Sequence, residues 1–334
     1  MSRVDRGRCT VMTETSELRA GFDRGLEVAV GDWVGVNPTD TPDGRPQIVA
    51  VLPRRCVFRR DENRKGAGSQ IVAANIDTVL VCDALDGSLS LRHLERFLAL
   101  AWQSGATPVV LITKSDAVAP EVVTEAVEAV EGVADGVRVL VVSSATGDGH
   151  SDLAPYLVAG RTLALLGLSG AGKSTLVNLL AGTEVLATGA VRGDGSGRHT
   201  TTHRQLVVLP GGGVLIDTPG MRALSVAGSG GGVEQAFSDV EALARDCRYP
   251  DCSHVGEQGC AVTGAVAEGR LDPGRLEGWL RLKAEQGPSA IDSARQGVAA
   301  RKRRKAAKVA DRRAAGPDTP GATSAAPVGT GGSG

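Results

Sequence analysis

The stretch Gly167-Leu168-Ser169-Gly170-Ala171-Gly172-Lys173-Ser174 leaves the backbone around it few options. It fits GxxxxGK[ST], follows the apolar run RTLALL, and with Thr175 opens the helical run STLVNLLAG. That is the strand, loop and helix context the motif requires. Glycines let the chain curl so that successive amides and the helix N-terminus point at phosphate oxygens. Lys173 would then reach the β- and γ-phosphates and Ser174 would ligate Mg²⁺. A strand that delivers such a loop belongs to a mainly parallel sheet with helices on its faces.

The surrounding pattern agrees. From about residue 70, apolar runs of strand length alternate with helical stretches: DTVLVCDA then LSLRHLERFLALAWQ, PVVLIT then EVVTEAVEAVEG, followed by VRVLVVSS, TLALLGL and GGVLIDT. Residues 70–232 are therefore expected to form an α/β P-loop domain. Before it, residues 1–66 carry five short β-rich stretches separated by Gly, Pro, Asn and Asp (RCTVMT, ELRAGF, DWVGVN, PQIVAVL and RCVFRR), which suggests a five-stranded OB-fold barrel. After the glycine-rich joint VAGSGGGVEQ, residues 235–300 read as a small helical domain. Residues 301–334 combine a basic run, RKRRKAAKVADRR, with a tail too poor in apolar residues to offset the entropy of ordering.

Two further elements fit a nucleotide site. Thr113-Lys114-Ser115-Asp116 ends the run PVVLIT and resembles a guanine-selecting [NT]KxD sequence. The Asp116 carboxylate can accept from guanine N1–H and the exocyclic amine, where adenine presents an acceptor, so GTP or GDP is favoured over ATP. Lys114 would lie over the base plane, and Ser143-Ala145 (Ser143, Ser144, Ala145) resembles the loop whose amide meets guanine O6. On the phosphate side, Asp217-Thr218-Pro219-Gly220 closes GGVLIDT and matches DxxG, with Asp217 facing Mg²⁺ through water and the Gly220 amide facing the γ-phosphate. Between these lies GDGSGRHTTTHRQLVVLP. One of Thr200, Thr201 and Thr202 should complete the Mg²⁺ shell; spacing does not separate them, and Thr201 is taken as the candidate.

The order along the chain is base element, SSA loop, P-loop, threonine loop, DTPG. Each motif keeps its own strand, so the order describes a circularly permuted GTPase, in which the chain leaves DTPG directly for the C-terminal region.

Cys247-x4-Cys252-x-His254-x5-Cys260 gathers three thiols and an imidazole in one loop. Four such ligands suit one structural, tetrahedral Zn²⁺ with no open position. The other cysteines of the six, Cys9, Cys56 and Cys82, are expected to be ordinary buried residues. Hydrophobic residues make up 42% of the chain and the net charge is -1, as in globular proteins. Basic residues nevertheless cluster in PRRCVFRRDENRKG and in the 301–313 run, which points to a polyanionic partner. No window approaches the roughly 18 apolar residues that span a bilayer, and no secretory pattern opens the chain, so a cytoplasmic location without membrane contact is expected.

Taken together, the barrel, the permuted GTPase order and the Cys-x4-Cys-x-His-x5-Cys domain resemble the ribosome small subunit-dependent GTPase A family. The resemblance implies GTP hydrolysis coupled to late maturation of the small (30S) ribosomal subunit, with binding to the subunit and its 16S rRNA in the GTP state and departure after hydrolysis, by a chain expected to be a monomer. The P-loop alone would also allow an ATPase or a small-molecule kinase, and the basic flanks an RNA-binding module with a vestigial nucleotide site. In Ras-like enzymes a Gln after DxxG orients the attacking water, but here Gly220 is followed by Met221. His199, beside the threonines, is the candidate to replace it, acting with Lys173.

Overall fold

The computed structural model describes residues 1–286 apart from Arg6, Arg24, 39–44, 62–68, Ser88, 186–204, 218–223, Ser225 and 227–230; it also leaves out the side chains of Asp61, Gln205 and Asp217, and everything from Gly287 onward. The described residues fall in one compact unit, Met1–Gly287.

Six strands carry the nucleotide-binding region: β8 (Thr78–Ala84), β9 (Thr107–Thr113), β10 (Arg138–Val141), β11 (Thr162–Leu166), β12 (Gln205–Val208) and β13 (Val214–Asp217). They lie in the order β10-β9-β8-β11-β13-β12, parallel except for β12, which runs antiparallel to β13. The strand before the P-loop, β11, therefore sits between the strands that carry the base element and the strand that carries DTPG. β8 and β13, which flank β11 in space, are not its neighbours in sequence, as the permuted motif order requires.

The alternation of side chains explains why both faces are covered. Val79 and Val81 of β8, Val110 and Ile112 of β9, and Ala164 and Leu166 of β11 face one hydrophobic cluster, which also holds Leu94, Leu98 and Ala101 of α1 (Leu91–Ser104) and Ala126 and Val130 of α2 (Pro120–Glu131). Leu80, Cys82, Val109, Leu111, Leu163 and Leu165 face the other cluster, with Leu176 and Val177 of α3 (Lys173–Ala181). Period two in strands buried on both sides gives these near-continuous apolar runs.

The N-terminal strands are β1 (Arg3–Asp5), β2 (Arg8–Met12), β3 (Glu17–Gly21), β4 (Val34–Asn37) and β5 (Gln47–Val51), in the order β1-β2-β3-β5-β4 with β3 and β5 parallel. Their own small core contains Cys9, Val11, Ala20 and Ile48. This is the expected five-strand sheet, although its membership differs from the sequence reading. RCVFRR supplies β6 (Val57–Asp61), which pairs with β7 (Ser69–Ala74) as a separate hairpin, and the short β1 takes its place in the sheet. β1 also pairs with β12, Arg3 opposite Gln205, with the Leu206 amide donating to the Ser2 carbonyl at 2.9 Å. One sheet thus runs through both regions.

C-terminal to β13, α4 (Gly232–Ala236), α5 (Ser238–Arg245), α6 (Ala261–Ala267) and α7 (Pro273–Gln286) form the helical region. It docks on the outer side of α1. At Gly232 a Cβ would lie 2.2 Å from the Ala99 carbonyl oxygen, so only glycine allows α4 to approach α1 this closely. No helix among the described residues is long and apolar enough to cross a membrane.

Candidate nucleotide site and zinc centre

The loops that leave β8, β9, β10 and β11 all emerge at the C-terminal ends of adjacent parallel strands, where such sheets bind ligands. Gly167, Gly170 and Gly172 have φ values of 151°, 88° and 73°. A side chain at Gly167 would place Cβ 2.3 Å from the Cys82 carbonyl oxygen, because the P-loop crosses the end of β8 there. Gly172 caps α3 in the left-handed region, so the helix opens at Lys173. The Lys173 ammonium folds over the loop and donates to the carbonyls of Gly167, at 2.9 Å, and Leu168. Ser174 and Thr175 are exposed on the first turn, while Leu168, Ser169 and Ala171 complete the loop.

Thr113 joins the two halves of the site. It is 3% exposed, and its hydroxyl lies 3.1 Å from the carbonyl oxygens of both Asp83 and Ala171. One side chain thereby ties the base strand to β8 and to the P-loop. Lys114 follows in the left-handed conformation, φ 57° and ψ 38°, and starts the 3-10 turn Ser115–Ala117 that turns Asp116 outward. From the neighbouring loop, buried Ser143 donates its hydroxyl to the Asp116 carboxylate at 2.5 Å. The same Ser143 oxygen accepts the amides of Ala145 at 3.2 Å and Thr146 at 3.1 Å, so the Ser143–Ala145 loop and the TKSD turn are held as one piece.

Sequence reasoning missed the part played by the end of β8. Burial pushes the Asp83 carboxyl above its usual range, although the amides of Ser90, at 3.1 Å, and Ala84, at 3.0 Å, bond to it. Asp86, on the same loop, pairs with Lys114. The signal was present in the acidic run DALDG just after a buried strand, but nothing in spacing tied it to Lys114.

The four C-terminal ligand residues do converge. The Cys247 and Cys260 sulfurs each lie 3.5 Å from His254 Nδ1 and 3.9 Å from each other. All four ligand atoms, Cys252 included, lie within 4.8 Å of one another. Thiolates about 2.3 Å from a tetrahedral Zn²⁺ would be roughly 3.8 Å apart, so the residues fit that ion. Cys260 also caps α6, accepting the Thr263 amide at 3.4 Å. Burial works against its thiolate, yet Thr263 and His254 draw the thiol down to about 6. His254 stands edge-on to Trp279 of α7, centroids 5.1 Å apart, and Trp279 Nε1 donates to Glu241 of α5 at 3.0 Å. The ligand loop is thus keyed into the helices it ties together. Cys9, Cys56 and Cys82 are buried away from it.

Comparison with known proteins places this arrangement. The model of the RsgA GTPase family matches residues 51–227. The chain is 48% identical over 293 residues to the small ribosomal subunit biogenesis GTPase RsgA of Streptomyces coelicolor, covering 85% of this chain and 78% of that one. The chain belongs to the RsgA GTPase family. A further relative, small ribosomal subunit biogenesis GTPase RsgA 2 of Lactiplantibacillus plantarum, is 43% identical over 266 residues, 79% of this chain and 74% of that one. Among solved structures, YjeQ from Thermotoga maritima superposes with a TM-score of 0.61 at 25% identity, covering 84% of this chain and 95% of that one. YloQ, described as a circularly permuted GTPase, gives a TM-score of 0.57 over 84% and 91% at 22% identity, a likeness of fold alone.

As an RsgA GTPase the chain is a GTP hydrolase. The structure brings Thr113, Lys114, Ser115, Asp116, Ser143, Ser144, Ala145 and the P-loop to one edge of the sheet. Asp217 is the last residue of β13, next to β11 on the phosphate side. Its side chain, together with His199, Thr201 and Gly220, lies outside the described residues.

Proposed function

We propose that this chain hydrolyses GTP in the service of late small-subunit maturation, binding the 30S subunit and its 16S rRNA in the GTP state and leaving after hydrolysis. The observation that carries the nucleotide half is Thr113. Its hydroxyl connects the strand that bears Asp116 to the P-loop, so guanine recognition and phosphate binding share one rigid frame. The ribosomal half is supported by the names of relatives at 48% and 43% identity, both small ribosomal subunit biogenesis GTPases.

On this reading Asp116, held by Ser143, accepts the two guanine N–H donors, while the Ala145 amide faces O6. The P-loop amides and Lys173 hold the phosphates and offset the charge that develops on the transferring group. Ser174, exposed on the first turn of α3, with Asp217 and Thr201, would hold Mg²⁺, which neutralises β- and γ-phosphate charge when bound. Met221 follows Gly220 and offers no group to orient water. His199 takes that role, slowly in the free protein and faster on the subunit. The basic 301–313 run and the basic face of the N-terminal strands meet rRNA phosphates, and the zinc centre is structural.

Turnover of GTP with and without purified 30S subunits tests the proposal. Strong stimulation by the subunit, and its loss in His199→Ala with nucleotide affinity retained, is the expected result. A subunit-independent rate would overturn the ribosomal half; equal competition by ATP would overturn the guanine half.

A further inference from the structure

Lys114 has two carboxylates within reach of its sequence neighbourhood, and they have different duties. Asp116 lies two positions on in the same turn, exposed, with one oxygen already held by Ser143. Asp86 comes from the loop beyond β8, and it is the carboxylate that the Lys114 ammonium meets. That choice is built by the sheet. β8 and β9 are parallel with Ala84 opposite Thr113, so the loops that leave them run side by side. The β8 loop is pinned at both ends, by the Leu85 amide donating to the Thr113 carbonyl at 3.0 Å and by the Asp83 carboxylate accepting the Ala84 and Ser90 amides. On the other side, the left-handed backbone at Lys114 fixes the direction in which its side chain leaves the turn.

We infer that Asp86 is a positioning residue for guanine recognition: it holds the Lys114 ammonium away from Asp116, stretching the lysine stem across the base plane and leaving the Asp116 carboxylate to the guanine N–H donors. An ammonium is a flexible point charge with three donors and pairs with whichever carboxylate is nearest. Without Asp86, the nearest one in sequence is Asp116 itself, and an ammonium seated on that carboxylate competes with N1–H and the 2-amino group for the same lone pairs. Fixing the stem in advance also removes rotamer freedom that binding would otherwise have to remove. The inference deepens the nucleotide reading above and rests on the assignment of Asp116 to the base.

Four variants of the full chain separate the possibilities: Asp86→Asn, Lys114→Met, the double variant, and Asp116→Asn. Affinities for GDP and for IDP, which lacks the 2-amino group, are measured by calorimetry or a fluorescent analogue. Asp86→Asn is expected to bind GDP about three- to fivefold more weakly, the scale of a partly exposed ion pair, and to narrow the preference for GDP over IDP. In the Lys114→Met background the same substitution should change neither. GDP affinity and GDP/IDP preference equal to those of the parent in Asp86→Asn overturn the inference. So does a loss that persists without the lysine, because the carboxylate would then act through its loop. Asp116→Asn keeps the two readings apart. If it leaves GDP affinity intact, the base assignment itself has failed; if it weakens GDP while Asp86→Asn does nothing, only the role of Asp86 has.

Discussion

Arg96 of α1 grips Glu285 of α7 through both carboxylate oxygens, and the same guanidinium donates to the Leu224 carbonyl at 3.1 Å, just beyond the DTPG segment. The Val226 amide points at Glu285 as well, at 3.5 Å, and Leu224 and Val226 are fully buried. The path from DTPG into the helical region is therefore fastened by one fork-shaped ion pair.

Arg96 holds the Glu285 carboxyl below its ordinary range. A carboxylate that is more acidic folded than unfolded stabilises the protein fully above its unfolded value, about 4.3, and loses that contribution as pH falls through the folded value. Glu285→Gln should cost about 1 kcal/mol near neutral pH, since the pair is partly exposed. The gap between variant and parent should close as the pH falls below about 4. Denaturant midpoints across that range check it, and a gap that stays constant with pH would refute it.

Deeper in the same interface, Arg275 bonds Glu95 of α1 at 2.9 Å, Asp239 of α5 at 2.7 Å and the Ala236 carbonyl at 2.8 Å. Glu95 is only 3% exposed, and burial pushes its carboxyl up against the pull of Arg275. Arg275→Met should destabilise the protein by about 3–5 kcal/mol, because a buried carboxylate loses its partner. Adding Glu95→Met should recover much of that loss. Chemical denaturation of single and double variants decides; a double variant worse than the single one contradicts this account.

Gly167→Ala should damage the P-loop without touching any phosphate-binding group. The new methyl meets the Cys82 carbonyl in a backbone region that side chains rarely adopt, at a cost on the order of 1–3 kcal/mol. Nucleotide affinity should fall along with the melting temperature. Parent-like GDP binding would mean that the loop can shift freely off β8.

How much of this was legible beforehand depends on how local the cause is. The P-loop, TKSD and the cysteine-histidine spacing are each set within a few residues, and buried strands announce themselves as apolar runs. β1 did not: Arg3–Asp5 is a three-residue strand with two charged ends, and its partner β12 lies far along the chain. RCVFRR has the pattern of a barrel strand, yet its partner is SQIVAA, which lies at the start of the region expected to be α/β. On α1, Glu95 and Arg96 belong to the polar side that a sequence reading assigns to water, yet α4 and α7 cover it. Side chains whose partners arrive from distant elements carry no periodic signal.

Cys252→Ser should release the metal and unfold the C-terminal helices, since a loop of four ligands gains its structure from the ion. Metal analysis should give one zinc per chain in the parent and none in the variant, while the GTPase sheet still binds GDP. Full zinc content in the variant would remove Cys252 from the ligand set.

The stitch between β1 and β12 makes the two regions share one backbone ladder. β12 is hydrogen-bonded to β13 along one edge and to the first strand of the N-terminal sheet along the other. Opening of either strand therefore frees backbone groups of the other. Hydrogen–deuterium exchange should show the amides of β1 and β12 gaining and losing protection together.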